Sequence, residues 1–441
     1  MLLDARRRRI LALALPIIGG MVSQNVLNLV DTAMVGHLGD NALAAIGISG
    51  FAAFMATALI TGLSSGVQAM ASRRMGEGKL DQMAVPLNGG LLLGLAMAIP
   101  LTGVLYVLTP TLFPYLMSDP EVVDVGVPYL QVRMLAIGAV GANFVFRGYW
   151  NGVNMSRVYM RTLIVMHAVN IALNYTLIFG KFGAPVLGAT GAAIGTTASL
   201  FVGTIYYFAQ GVFYARESGF LQGLPDRATL RTMVRLSVPS GLQNLFFSGG
   251  LTAFFWIIGR VGTQELAASQ VLVNIMLVGL LPGIGFGLAA ASLVGQALGK
   301  GEPEDARAWG WDVSKMAVVL VALIASPALV SPDLFLGVFL HNPDTLALAR
   351  TPMRIVALFL PLDILGAVLM NALLGAGDNR RVAAVSIVMQ WAIGLPLAFL
   401  IGPTLGYGLI AIWLVQVGYR GLQALIFVGF WRRDDWTTLE V

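Results

Sequence analysis

The sequence has no cysteine, so neither a disulfide framework nor a thiolate metal site holds it together. It has little charge: Asp, Glu, Lys and Arg make up 11% of its 441 residues, against about 25% in an ordinary soluble domain. Only three histidines occur, with no H-E-x-x-H motif, which removes a common zinc-hydrolase pattern. The basic residues are not gathered into one patch, so nothing points to nucleic acid. Alternating apolar–polar segments are also missing, and with them the signature of a membrane β-barrel.

What is present is apolar. Hydrophobic residues reach 57%, with 52 Gly and 19 Pro, and the mean hydropathy is +0.80. Too few charged side chains exist to coat a chain of this length in water, so its solvent is the lipid bilayer. After Arg6–Arg9 the first apolar run is too long for a cleavable signal peptide, and no small-residue site closes it. Apolar runs near the roughly 20 residues needed to span a bilayer recur along the whole chain. They cover 10–36, 42–71, 84–109, 124–149, 158–180, 187–214, 230–259, 266–298, 309–340, 346–374, 382–402 and 406–431. The expected fold is therefore all-α and polytopic, with twelve transmembrane helices.

Lys and Arg collect in cytoplasmic loops. Arg6–Arg9, Arg73, Arg74, Lys79, Arg157, Arg216, Arg227, Lys300, Arg307, Arg380, Arg381, Arg432 and Arg433 fall on one side of this topology. The other side holds Lys181, Arg260, Arg350 and Arg354, and its longest loop, Thr109–Asp124, is acidic. Both termini are expected to be cytoplasmic.

The chain also repeats itself. The shift that carries Pro16 onto Pro239 carries Val35–Ala45 onto Ile258–Ala268, Gly62 onto Gly285, Gly76 onto Gly299 and Gly152 onto Gly375. Six spans per repeat make the two repeats parallel, an arrangement in which transporters bind substrate near the repeat interface and rock to expose it alternately. The expected organisation is an N-lobe over 1–215, a cytoplasmic linker over 216–235 and a C-lobe over 236–441. Gly219, Gly223 and Pro225 interrupt the linker among mixed charges. In the eighth span, Pro282–Gly287 carries three glycines after the proline, a stretch expected to kink or unwind locally.

Ionisable residues inside the spans are costly and mark function by default. Asp31 lies in the first span, Asp363 in the tenth and Arg420 in the twelfth. A buried carboxylate can hold a proton or pair with a cation, which is the minimum device for antiport. Amides that could surround Asp31 are Gln24 and Asn28 on the same span and Asn170 and Asn174 on the fifth, spaced i,i+4 and so on one face. The sixth span adds Thr196 and Thr197. Such groups also glue membrane helices together with no further role. Asp363 and Arg420 either pair with each other within the second half, or Asp363 serves as a second cation site, or it is a water-lined acid with no special role. Arg133 and Arg354 hold similar places in the two repeats and read as interfacial, structural residues. Gly62-Leu63-Ser64-Ser65-Gly66 matches the loose G-x-S-x-G pattern, but within a helix and not at a strand-to-helix elbow, so no enzyme is indicated.

The first span and its turn, from Leu15-Pro16 through Val30-Asp31-Thr32-Ala33-Met34-Val35-Gly36-His37-Leu38-Gly39, resemble the multidrug and toxic compound extrusion (MATE) family. The stretches Arg147–Gly152, Gly191–Thr196 and Leu373–Asp378 agree with it, and the chain is most similar to the DinF-like branch. The resemblance implies two six-helix lobes in a V-shape, working as a monomer in the bacterial inner membrane. It implies export of amphipathic, often cationic small-molecule drugs, driven by inward protons or Na+ and without a bound cofactor. It makes Asp31 the N-lobe coupling acid, Pro16 the point where the first helix bends, and Asn170, Asn174 and Thr196 its polar partners. Some relatives carry Asp where this chain has Asn174. In NorM-like members sodium is associated with carboxylates of the seventh and tenth helices. Asp363 matches the latter, while Phe247 stands near the place of the former, so the resemblance favours protons. A lipid-linked oligosaccharide flippase of the same superfamily is the alternative, against which the scarcity of membrane-embedded basic residues counts.

Overall fold

The computed structural model describes residues 2–117, 119–340 and 342–441, so that of the three histidines His341 lies outside the described residues. No strand occurs among them. The helices are α1 (Leu2–Gly36), α2 (Asp40–Thr61), α3 (Leu63–Gly76), α4 (Val85–Leu116), α5 (Pro120–Met134), α6 (Ile137–Gly152), α7 (Ser156–Phe179) and α8 (Gly188–Tyr214). The second half has α9 (Arg227–Gly259), α10 (Thr263–Gly299), α11 (Pro303–Val330), α12 (Asp333–Leu336), α13 (Pro343–Ala376), α14 (Asn379–Val388), α15 (Leu395–Phe399) and α16 (Gly408–Arg433). Among the described residues, eleven helical stretches are long and apolar enough to cross a membrane, or twelve when α5 and α6, bent by 49° at their junction, count as one span.

Several boundaries differ from the sequence expectation. The acidic loop after the third span is short, because α4 continues through Pro110 and Pro114 to Leu116 and α5 starts at Pro120, capped by Asp119. Prolines inside membrane helices are tolerated because neighbouring groups and local adjustments satisfy the backbone atoms they free. The ninth span stops at Val330 and not near 340: Ser331 leaves helical geometry ahead of Pro332, as a residue preceding proline is pushed to do. The eighth span is not unwound at Pro282–Gly287. There α10 runs unbroken, and its glycines serve packing, Gly283 against Ile364 and Gly287 against Asn371.

By packing, the described chain divides into two units, one comprising the chain up to Ile18 with Leu242–Val441, the other Gly19–Gly241. Each unit therefore takes the first half of the helix that opens the other repeat, α1 up to Ile18 for the first unit and α9 up to Gly241 for the second. In the first unit Ile10, Leu13 and Ala14 of α1 join one apolar core with Phe286 and Leu293 of α10 and Trp309 of α11. Arg6 fixes that segment: its Nε donates to Asp312 at 2.7 Å, it pairs with Asp305, and its guanidinium lies 3.7 Å from the centroid of the Trp309 ring. In the second unit the first half of α9 does the reciprocal job. Gly62 lies so close to Ser237 and Gly241 of α9 that a Cβ there would collide with their backbone. The exchange points, after Ile18 and after Gly241, follow Pro16 and Pro239 by two residues each.

The repeat is visible in the packing. In the second unit α6 crosses α3 so closely that a Cβ on Gly152 would sit 2.9 Å from the carbonyl oxygen of Gln68. In the first unit α13 crosses α10 the same way, Gly375 facing the carbonyl of Ala291. Glycine is required at both crossings because backbone, and not a movable side chain, stands opposite.

Candidate functional site

Asp31 lies five residues before the end of α1. Four residues on, Val35 shares its face and is buried with Tyr129, Ile178, Ala192 and Ala193. That packing turns Asp31 toward α5, α7 and α8. Asn174 of α7 donates through Nδ2 to Asp31 Oδ1 at 2.9 Å and to Asn170 Oδ1 at 2.9 Å. Asn170 in turn donates to the Ser199 hydroxyl of α8 at 3.4 Å, and Ser199 donates to the carbonyl of Thr196 at 2.8 Å. Asn170 and Asn174 are each 1% exposed, whereas Asp31 is half-buried. Gly195 makes this possible: a Cβ there would collide with Asn174 Oδ1.

The structure thus brings together Asp31, Asn174 and Asn170, with Thr196 joined only through its carbonyl. The Thr196 hydroxyl bonds back to Ala192 at 2.9 Å, and Thr197 to Val132 at 3.2 Å. Gln24 and Asn28 hydrogen-bond to each other at 3.2 Å, and Gln24 Oε1 stands 3.1 Å from His167 Nε2. They form a separate cluster on the same faces of α1 and α7. Pro16 is buried inside α1, which continues as helix through it.

Sequence reasoning missed Arg133, Tyr129 and Ser199 of this network and His167 of the neighbouring cluster. Arg133 and Tyr129 of α5 lie within electrostatic range of Asp31. The Arg133 guanidinium keeps a buried Nε and Nη1 without hydrogen-bond partners among the described residues. For His167, its spacing from Asn170 and Asn174 was the available signal, since i,i+3 and i,i+4 positions share a helix face.

The second intramembrane carboxylate is arranged differently. Asp363 of α13 accepts from Arg420 of α16 in a bidentate pair, Nη2 to Oδ1 at 2.8 Å and Nε to Oδ2 at 2.9 Å. Both side chains are less than one-fifth exposed. The planar fork of arginine matches a carboxylate in this geometry, and it resolves the alternatives left open by the sequence in favour of pairing. Gln243 of α9 lies nearby in the same unit, donating to Ser386 at 3.2 Å, and Gln390 donates to the Phe247 carbonyl at 3.4 Å. No group of three or more metal-ligating side chains occurs among the described residues. The Ser64 of the G-x-S-x-G stretch is the second residue of α3 and accepts from Arg147 at 3.4 Å, with no histidine in the arrangement.

A duplicated helical membrane protein, with a carboxylate set among amides in one unit and a carboxylate locked to a guanidinium in the other, has the build of a membrane transporter. A profile of the MatE family matches it twice, over residues 16–176 and 239–400, once per repeat. The chain belongs to the MatE family. It is 26% identical to the probable multidrug resistance protein NorM of Thermotoga maritima, with 98% of this chain and 95% of that one covered. It is 27% identical to the multidrug resistance protein PmpM of Pseudomonas aeruginosa, with 96% and 89% covered. Among solved structures, the outward-facing conformation of a multidrug resistance MATE family transporter matches with a TM-score of 0.89 and 22% identity, over 99% of this chain and 97% of that chain. MATE in the straight conformation matches with a TM-score of 0.88 and 22% identity, over 97% and 96%.

Proposed function

We propose that this chain is a secondary antiporter of the DinF-like branch that exports amphipathic, often cationic compounds in exchange for inward protons. It works by alternating access, as a monomer, in a bacterial inner membrane with both termini cytoplasmic. The names of its relatives support multidrug export, and the distribution of basic residues supports the orientation. The observation that carries proton coupling is the contrast between the two membrane carboxylates. Asp363 already holds a tethered cation, the Arg420 guanidinium. Asp31 has a neutral amide as its hydrogen-bond partner and no salt bridge among the described residues, which leaves it free to change its charge.

Asn174 suits that exchange, because an amide N–H donates to a charged carboxylate and still donates to the carbonyl oxygen of a protonated one. Its link to Asn170 fixes the donor, so the site need not rearrange when the proton leaves. Arg133, within electrostatic range, favours the charged form when the proton is gone. Substrate contact is expected from apolar and aromatic side chains with few polar groups, which is how sites for many ligand shapes are built.

The deciding experiment is dye export in proteoliposomes with a proton gradient and a sodium gradient imposed separately. Wild type is expected to transport with the first alone, and Asp31→Asn with neither while staying folded and monodisperse. Transport by Asp31→Asn at the wild-type rate would overturn the assignment of Asp31. Transport driven by sodium alone would overturn the choice of ion.

A further inference from the structure

The linker between the repeats is not a free tether. Residues 219–224 are fastened to the start of α4 by one side chain, that of Asn88. Its Nδ2 donates to the carbonyls of Gly219 at 2.9 Å and Gly223 at 3.1 Å, and its Oδ1 accepts from the Leu221 N–H at 3.0 Å. The clasp holds Leu221 at φ 56°, a left-handed conformation that costs a non-glycine residue about 1–2 kcal/mol. The outcome of holding it there is a loop whose exposed Leu221 and Leu224 line the crevice below, with Leu224 80% exposed.

Beneath the loop lies a crevice of about 610 Å³ between α4, α6 and α8. Its walls are apolar, with Leu92 and Leu95 from α4, Ala142 from α6 and Phe201 and Phe208 from α8 among them. Only two lining residues are polar, Asn88 and Thr204, and both are already engaged. Asn88 spends both amide hydrogens on the loop, and the Thr204 hydroxyl bonds to Asn143 Oδ1 and to the Leu200 carbonyl, each at 2.9 Å. No charged side chain lines the space.

We propose that this crevice seats one acyl chain of a bilayer phospholipid, entering from the leaflet on the linker side of the membrane. Its walls belong mostly to membrane-spanning helices, with Leu221, Gly223 and Leu224 of the linker at one end, so it lies against the bilayer at the linker side. A cationic export substrate would need a counter-charge or a free hydrogen-bond acceptor, and the lining offers no carboxylate. A saturated chain needs only apolar surface, and the volume falls within the range of about 300–1,000 Å³ in which small ligands are held. Seating it extends the packing of α4, α6 and α8 beneath the loop that leads into α9.

The test uses the full chain in vesicles of phosphatidylethanolamine and phosphatidylglycerol carrying a trace of phospholipid with a photoactivatable diazirine in one acyl chain. Adducts are mapped by peptide mass spectrometry. Labelling at 88–95, 201–208 and 221–224 is expected to exceed several-fold that at Val104 and Val107, exposed positions of the same α4 helix. Ala142→Phe fills the crevice and is expected to remove that excess while leaving Val104 and Val107 unchanged. Gly138→Leu is the second variant, since a Cβ at Gly138 meets nothing nearer than Ala98 at 3.7 Å. Equal labelling along α4, or an excess that survives both fillings in folded protein, would overturn the proposal. So would selective displacement of the label from the crevice by an amphipathic cationic dye, which would make it a substrate vestibule.

Discussion

Two aspartates of the same type, each placed in a membrane span, are given different work by their neighbours. Removing the charge of Asp363 strands the Arg420 guanidinium in a poorly hydrated site, and breaking such a pair from one side costs about 3–5 kcal/mol. Asp363→Asn is therefore expected to lower thermal stability in detergent markedly, and Asp363→Leu combined with Arg420→Met to recover most of the loss. Asp31→Asn, whose amide oxygen still accepts from Asn174, is expected to leave stability nearly unchanged in the same assay. The carboxylate itself, Asn170 and Asn174 were legible in the sequence because they lie on spans and share a helix face. Arg133, Tyr129 and Ser199 were not, because their approach to Asp31 depends on how α5 and α8 pack, which no local pattern encodes. The pairing of Asp363 with Arg420 stood among several options for the same reason: sequence gives burial but not the distance between spans.

For the helices, what the sequence announced was length and what it hid was ends. Apolar runs mark each span, but the ends depend on local chemistry, as at the start of α13, where the Asn342 side chain accepts from the backbone of Asp344 and Thr345. Close crossings give a sharper test. An added methyl at Gly375 meets the Ala291 backbone and one at Gly152 meets that of Gln68 less closely. Overpacking of this kind costs about 1–3 kcal/mol, so Gly375→Ala is expected to destabilise more than Gly152→Ala in thermal unfolding. At the head of α9, Asp226 accepts from the Thr229 N–H at 3.0 Å. That bond and the Thr229 hydroxyl hold its carboxyl below the usual carboxylate range. A depressed carboxylate contributes stability above its unfolded value of about 3.9 and loses it as pH falls through the folded value. Amide exchange at 228–231, corrected for intrinsic rates, is expected to stay level down to that range and to rise below it. Asp226→Ala is expected to raise it at every pH.

Across the whole molecule the repeat is retained in backbone packing and abandoned in polar chemistry. The shift that superposes Gly152 on Gly375 places Phe254 opposite Asp31 and Leu397 opposite Asn174. One scaffold was thus duplicated, with a chargeable group in one copy and a locked pair in the other. Because each packing unit borrows a half-helix, neither lobe is complete alone. Fragment 1–215 expressed by itself is expected to be cut rapidly by trypsin, and co-expression with 216–441 to restore protection, as read on gels of purified membranes. The same borrowing sets an order for biosynthesis. The segment ending at Ile18 is synthesised well before Phe286, Leu293 and Trp309, against which it packs and which are made hundreds of residues later. Until then it must wait in the membrane with its apolar face against lipid, and its acidic partners Asp305 and Asp312 do not yet exist. The segment up to Ile18 is therefore among the last to find its native neighbours, although it is made long before them.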